Sequence, residues 1–231
     1  MKHPFTLGLA LLVGTALSLQ TAAAADPAEL TTPPASDAEK EAAYTTAIDN
    51  RTTDILKLLA VAEAAKSNMV HDVIVAQYRA LRARDAAIDA KLKADGQAVT
   101  YANRASQLAA TSKPLHDQFL GQLAEHLTPE QVEQVKDGMT YKKVKVTFDA
   151  YCAIVSGLTD PDKARVMELL KQAREVAMDG GNAPEKSEIF QKYKEQINAY
   201  LDAHGHDTAK AFKDWEARQA VTTPKPGESA K

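Results

Sequence analysis

Apolar residues recur at helical spacing along most of this chain. Tyr44, Ala47, Ile48, Ile55 and Leu59 return on one face, and Ser36 or Asp37 ahead of them can cap a first helix. A second helix is expected over residues 62–93, with Val70, Ile74, Gln77, Leu81, Ile88 and Leu92 inward. Its opposite side carries Arg79, Arg82, Arg84, Asp89 and Lys93 and reads as solvated. Gly96 breaks the pattern. A short helix is expected over 101–110, and then a separate one beginning at Ser112 with Pro114 in its first turn. Leu115, Phe119, Leu123 and Leu127 make its stripe.

Thr128-Pro129-Glu130-Gln131 is a capping-box start, and that helix should stop at Gly138. Val144-Lys145-Val146-Thr147 alternates like a strand but is too short to build a sheet. It is expected as an extended linker into a helix over 149–155. Gly157 ends that helix and Thr159-Asp160-Pro161 opens the next, with Val166, Leu170, Ala173 and Ala177 inward and Gly180-Gly181 as its stop. A helix over 184–204 buries Ile189, Phe190, Tyr193, Ile197, Tyr200 and Leu201. Asp207 caps a last one holding Phe212 and Trp215. The expected fold is all-α: a single multi-helix bundle with mostly antiparallel neighbours, spanning 37–221 between a flexible leader (26–36) and a disordered tail (222–231).

The first residues change the picture of location. Lys2 precedes an apolar stretch from Leu7 to Leu19, and Ala23-Ala24-Ala25 offers a signal-peptidase site. That run falls short of the roughly 20 residues a span needs, and no later run reaches that length. Residues 1–25 therefore read as a signal peptide. The expected product is a soluble, exported protein, periplasmic or extracellular, without a lipid anchor because no cysteine stands at the cleavage point. Cleavage removes one charged residue, Lys2, leaving 27 basic against 31 acidic residues and a net charge of −4 instead of −3.

Composition narrows the chemistry. The balance of charge argues against nucleic acid as a partner. One cysteine in the whole chain, Cys152, excludes an internal disulfide and a Cys-rich zinc site. Between Tyr151 and Ala153-Ile154-Val155 it reads as buried packing. No phosphate loop, nucleophile elbow or H-E-x-x-H motif occurs, so no catalytic residue and no cofactor are implied. His204-Gly205-His206 is the closest approach to a metal pair. It lacks a third ligand, and a C-cap followed by an N-cap already accounts for it. His71, His116 and His126 are scattered singly and read as helix-surface residues. The expected binding residues lie in the C-terminal half: Tyr141 and Tyr151 on an irregular segment, Arg174 and Glu175 on one helix, Lys194 and Asn198 on the next. Rings beside Arg, Lys and Asn suit a sugar or peptide.

The stretches IVAQYRALRARD, LTPEQ, DGMTYKKVKVTFDAYCAIVSGLTDPDKARVMELLKQAREVAMDGG and EKSEIFQKYKEQINAYLDAHGHD, with Trp215, carry a resemblance over nearly the whole mature chain. They resemble a family of exported bacterial proteins catalogued only as a domain of unknown function, common in Bacteroidetes and related phyla. Gln196 and His206 depart from that pattern. The resemblance implies architecture and export, and a polysaccharide-utilisation context, since members are sometimes encoded near polysaccharide-degrading enzymes. A fainter likeness, through the Leu-Thr-x-x-Gln start at Leu127, is to periplasmic stress chaperones; in the second copy Asp162 replaces the Gln. The leading expectation is a non-catalytic binding or accessory protein for a polymer or protein partner. A chaperone-like or metal-responsive stress protein is the alternative, and a carbohydrate-active enzyme the third.

Overall fold

The computed structural model describes residues 36–222, with side chains to residue 219. The signal-peptide and leader readings, and the tail beyond residue 222, lie outside the described residues. Among the described residues eight helices follow one another: α1 Asp37–Leu59, α2 Ala64–Ala94, α3 Tyr101–Ala124, α4 Pro129–Met139, α5 Lys143–Ile154, α6 Asp160–Ala177, α7 Ala183–Ala203 and α8 Thr208–Thr222. There is no strand among the described residues, and no described helix is long and apolar enough to cross a membrane.

Local chemistry sets most of the starts. Ser36 with Glu39, Thr128 with Gln131 and Thr159 with Asp162 form capping boxes, and Asn182 accepts from the Glu185 amide. Two expectations are corrected. Residues 101–124 form one helix: Pro114 sits inside α3, on an exposed face where solvent can reach the carbonyl its missing N–H leaves free. Residues 143–147 are helical, not extended. Val144 is buried while Val146 is exposed, so the two valines that looked like a strand face are two positions of one helical turn.

The bundle's core falls into two clusters. α1–α4 enclose Ile48, Ile55, Val70, Ile74, Phe119, Leu123, Val135 and Met139, and receive Met178 from the end of α6. α5–α8 enclose Tyr151, Val166, Leu170, Ile189, Phe190, Ile197 and Leu201, with Phe212 and Trp215 packed on the outside. Each large apolar side chain fully buried this way stabilises the fold by about 2 kcal/mol. Between the clusters lies a polar seam, made where α2, α3 and α4 meet α6 and the start of α7.

Candidate functional site

The seam is built from arginines that reach across it. On α2, Arg84 donates from Nη2 to the Asp179 carbonyl (2.7 Å), from Nη1 to Ser112 Oγ (3.0 Å), and to Asp85 Oδ1. On α3, Arg104 approaches Asp85 Oδ2 at 3.1 Å, Asp89 at 3.0 Å and Glu185 at 3.5 Å. Asp85 thus bridges two arginines. Gly181 passes so close that a Cβ there would stand 1.6 Å from Asp85 Oδ2. Glu185 also accepts from the Gly181 amide at 3.0 Å. Lys186 is buried and donates to the Ala177 and Met178 carbonyls, completing the end of α6; burial pushes its ammonium down to about 8. Arg84 was expected on a solvated face. It is buried because position 84, three after Leu81 and four before Ile88, lies on the inward stripe of α2, and the Asp179 carbonyl in the turn after α6 satisfies it there.

The residues expected to bind a ligand divide among different places. Arg174 is only 3% exposed, held by Asp137 (2.7 Å), Glu133 and Glu175 (3.2 Å). Burial alone would raise the Glu133 carboxyl, but Arg174 and Lys136 outweigh it and hold that carboxyl below its usual range. Arg174 is therefore a tie between α4 and α6, with both terminal nitrogens engaged and the group buried away from any ligand. Tyr151 is buried in the C-terminal cluster, where its hydroxyl donates to Asn198 Oδ1 at 2.7 Å and its ring meets Phe212 edge-on at 5.7 Å. Burial pushes its phenol up. Lys194 is half-buried beside it, its ammonium lowered by burial and by nearby Lys143. Tyr151 and Asn198 hold α5 on α7; Arg174 and Glu175 belong to the seam.

Two other placements differ from expectation. Cys152 is exposed: Tyr151 takes the core-facing position and the next residue turns about 100° away. His116 is half-buried, with its Nδ1 3.0 Å from Asp179 Oδ2 and Nε2 3.9 Å from Glu175. The hydrogen bond to Asp179 raises its pKa. His204 and His206 turn to separate partners, the Tyr200 carbonyl and Asp162. No group of three or more metal-ligating side chains occurs among the described residues.

Tyr141 alone among the expected residues stands out as an open side chain, 42% exposed. It occupies an unusual backbone position. At the end of α4 the Lys142 amide bonds the Asp137 carbonyl and the Tyr141 amide the Gly138 carbonyl, a turn whose left-handed residue is usually glycine. The ends of α2 and α7 have the same paired bonds, with Gly96 (φ +69) and Gly205 (φ +89) at that position. Here it is Tyr141 at φ +58, followed by Lys142 at φ +54. A non-glycine residue in this region costs about 1–2 kcal/mol.

Tyr141 borders an open groove of about 560 Å³ with Leu58, Tyr78, Arg51, Lys57, Lys142 and Asp54. Lys57 is paired with Asp54 at 2.8 Å, whereas Arg51 and Lys142 have exposed side chains with no ion pair among the described residues. Aromaticity had pointed to Tyr141. Its companions Arg51 and Leu58, 90 and 83 positions earlier, had no local signal, since a free and a paired arginine read alike in sequence.

A second groove of about 560 Å³ lies between α3 and the α6–α7 turn, where Glu175 and Asp179 meet His116.

A family model described as "Protein of unknown function (DUF3826)" matches residues 45–220. No curated protein matches the chain.

Proposed function

The chain belongs to this family of unknown function (DUF3826), and from that premise we propose that it is an exported, non-catalytic binding protein for an acidic polysaccharide, held at the Tyr141 groove. The observation that carries the reading is the tyrosine itself. Glycine serves the same turn at the ends of α2 and α7, so keeping a strained aromatic residue here needs a reason other than the fold. A tyrosine ring can pack its apolar face against the C–H face of a sugar while its hydroxyl stays wet. Arg51 and Lys142 beside it, in no ion pair among the described residues, suit the carboxylates or sulfates of an acidic chain, Arg51 by a two-pronged hydrogen bond. Leu58, also exposed, widens the apolar floor.

The test is electrophoresis of the folded protein through gels containing polygalacturonate, alginate or a sulfated glycan, with dextran as the neutral control. Retardation by an acidic polymer is expected, weakening as salt is added. Tyr141→Ala and Arg51→Ala should each abolish most of it without changing the circular dichroism. Equal mobility of the wild-type protein in all gels would overturn the reading. Release of reducing ends during incubation would favour a carbohydrate-active enzyme instead.

A further inference from the structure

We propose that the groove between α3 and the α6–α7 turn is a separate binding site for a primary ammonium carried on an alkyl chain, such as a lysine side chain. The inference does not rest on the Tyr141 site. It starts from Asp179. This residue is 8% exposed and lies just past the end of α6, where the helix's partial negative charge disfavours another anion. Its Oδ2 receives His116 Nδ1 at 3.0 Å, but Oδ1 is buried with no hydrogen-bond partner. A buried carboxylate oxygen left without a donor is costly and calls for an explanation.

The nearby cations do not supply that donor. Lys186 is committed to the Ala177 and Met178 carbonyls, and Arg84 to the backbone carbonyl of Asp179 instead of its carboxylate. Lys113, on the rim, is paired with Asp117 at 2.6 Å. Lys136 holds Glu175 at 2.9 Å. No donor among the described residues reaches Oδ1, and Asp179 lines the groove through which one can enter.

The rest of the groove describes the body of the ligand. Leu108 and Ala109 on α3 face Val176 on α6 and Ile189 on α7, and Val176 is 48% exposed. An unbranched alkyl chain along this wall would bury apolar surface at about 25 cal/mol per Å² and bring its ammonium to Asp179 Oδ1. The charged lining is mixed, Asp117, Glu175, Asp179 and Glu185 standing with Lys113 and His116, so the unpartnered Asp179 Oδ1 is what favours an ammonium there over a neutral or anionic group.

The experiment is an amide chemical-shift titration of the folded chain with hexylammonium chloride, and with hexanol and hexanoate as neutral and anionic counterparts. Saturable shifts are expected at Leu108, Ala109, Val176 and Gly180 with hexylammonium, at least tenfold weaker binding of hexanol, and no shifts with hexanoate. Asp179→Asn should weaken hexylammonium binding at least tenfold. Ala109→Trp fills the apolar wall from an exposed position outside the charged network and should do the same, which keeps the test alive if the Asp179 variant fails to fold. Tyr141→Ala should leave these shifts unchanged, so failure here and failure of the polysaccharide reading are distinguishable. Equal affinity for hexanol, wild-type binding by folded Ala109→Trp, or no saturable shifts would each overturn the proposal.

Discussion

Replacing Tyr141 by glycine and, separately, by alanine isolates the strain in the α4–α5 turn. Both variants lose the ring, so the difference between them reports the backbone alone. At φ +58 a residue with a Cβ costs about 1–2 kcal/mol. Glycine gives back about 0.5–1 kcal/mol through the larger freedom of its unfolded chain. Tyr141→Gly should therefore be more stable than Tyr141→Ala by about 0.5–1 kcal/mol, a melting-temperature difference of about 1–4 °C for a chain of this size. Gly205→Ala is the reciprocal control: φ is +89 there and no atom lies within 4 Å of an added Cβ, so only backbone strain is added. It should lose about 1 kcal/mol. Thermal and urea unfolding followed by circular dichroism at 222 nm supply both numbers. If Tyr141→Ala proves more stable than Tyr141→Gly by the about 0.5–1 kcal/mol that unfolded-state freedom alone gives, the turn carries no strain and the main support for a selected ring at this position is gone.

The remaining predictions concern the seam and its surroundings. Gly181→Ala places a methyl onto Asp85 and must break its pairing with Arg84 and Arg104, costing about 3–5 kcal/mol, whereas Gly96→Ala, in open space at φ +69, costs about 1 kcal/mol in the same urea titration. Arg174→Ala should lower the unfolding free energy by about 2–4 kcal/mol, read as a lower urea midpoint and near the low end for a buried pair because Glu133 and Asp137 can turn to solvent; an unchanged midpoint would return Arg174 to the surface. Cys152 should react with a small maleimide in the native protein nearly as fast as in urea, and protection until unfolding would contradict its exposure. For pH, folded Lys186 gives up its proton near 8 while the unfolded chain keeps it to about 10.5, so the unfolded state binds more protons and stability rises with pH across that window. Above 10 the trend reverses, because Tyr78, raised by burial to about 12, ionises first in the unfolded chain. Lys186→Met should flatten the rise in urea midpoint between pH 7.5 and 9.5; an equal rise in that variant would assign it elsewhere.

Helix starts were legible wherever the deciding chemistry is local. Ser36, Thr128 and Thr159 each cap through contacts three residues away, so a short window contains the whole argument. The apolar stripes of α6 and α7 were legible for the same reason, as period alone separates inside from outside. Where two local rules compete, the chain's packing decides. Pro114 marked a start by its chemistry, yet α3 runs through it because Arg104 before it and Phe119 after it are both anchored, and the proline itself faces solvent. Val144 and Val146 fitted a strand, but the turn at Tyr141 delivers the chain directly into α5, and Val144 and Tyr151 supply an inward face seven residues apart.

Charge is where sequence reading stops, and α2 shows why. Arg79, Arg82 and Arg84 stand within six positions and are alike in chemistry. Arg79 and Arg82 both reach Glu41 on α1 from the solvent side, and Arg82 also covers the Tyr44 ring at 4.0 Å. Arg84, turned two positions further round the helix, enters the seam and meets Ser112 and the Asp179 carbonyl. Period places Arg84 on the buried stripe, three after Leu81 and four before Ile88; what it does not supply is the distant partner that satisfies the charge there. Such a pair adds little net stability over an apolar one, since desolvation offsets most of its Coulomb attraction. What it adds here is position. Two apolar clusters in contact could slide against each other at small cost, whereas Asp85 between Arg84 and Arg104 admits one seating of the α6–α7 turn, and Gly181 admits it only without a side chain. The register thus imposed also sets the groove beside it, because the same turn carries Asp179 toward His116.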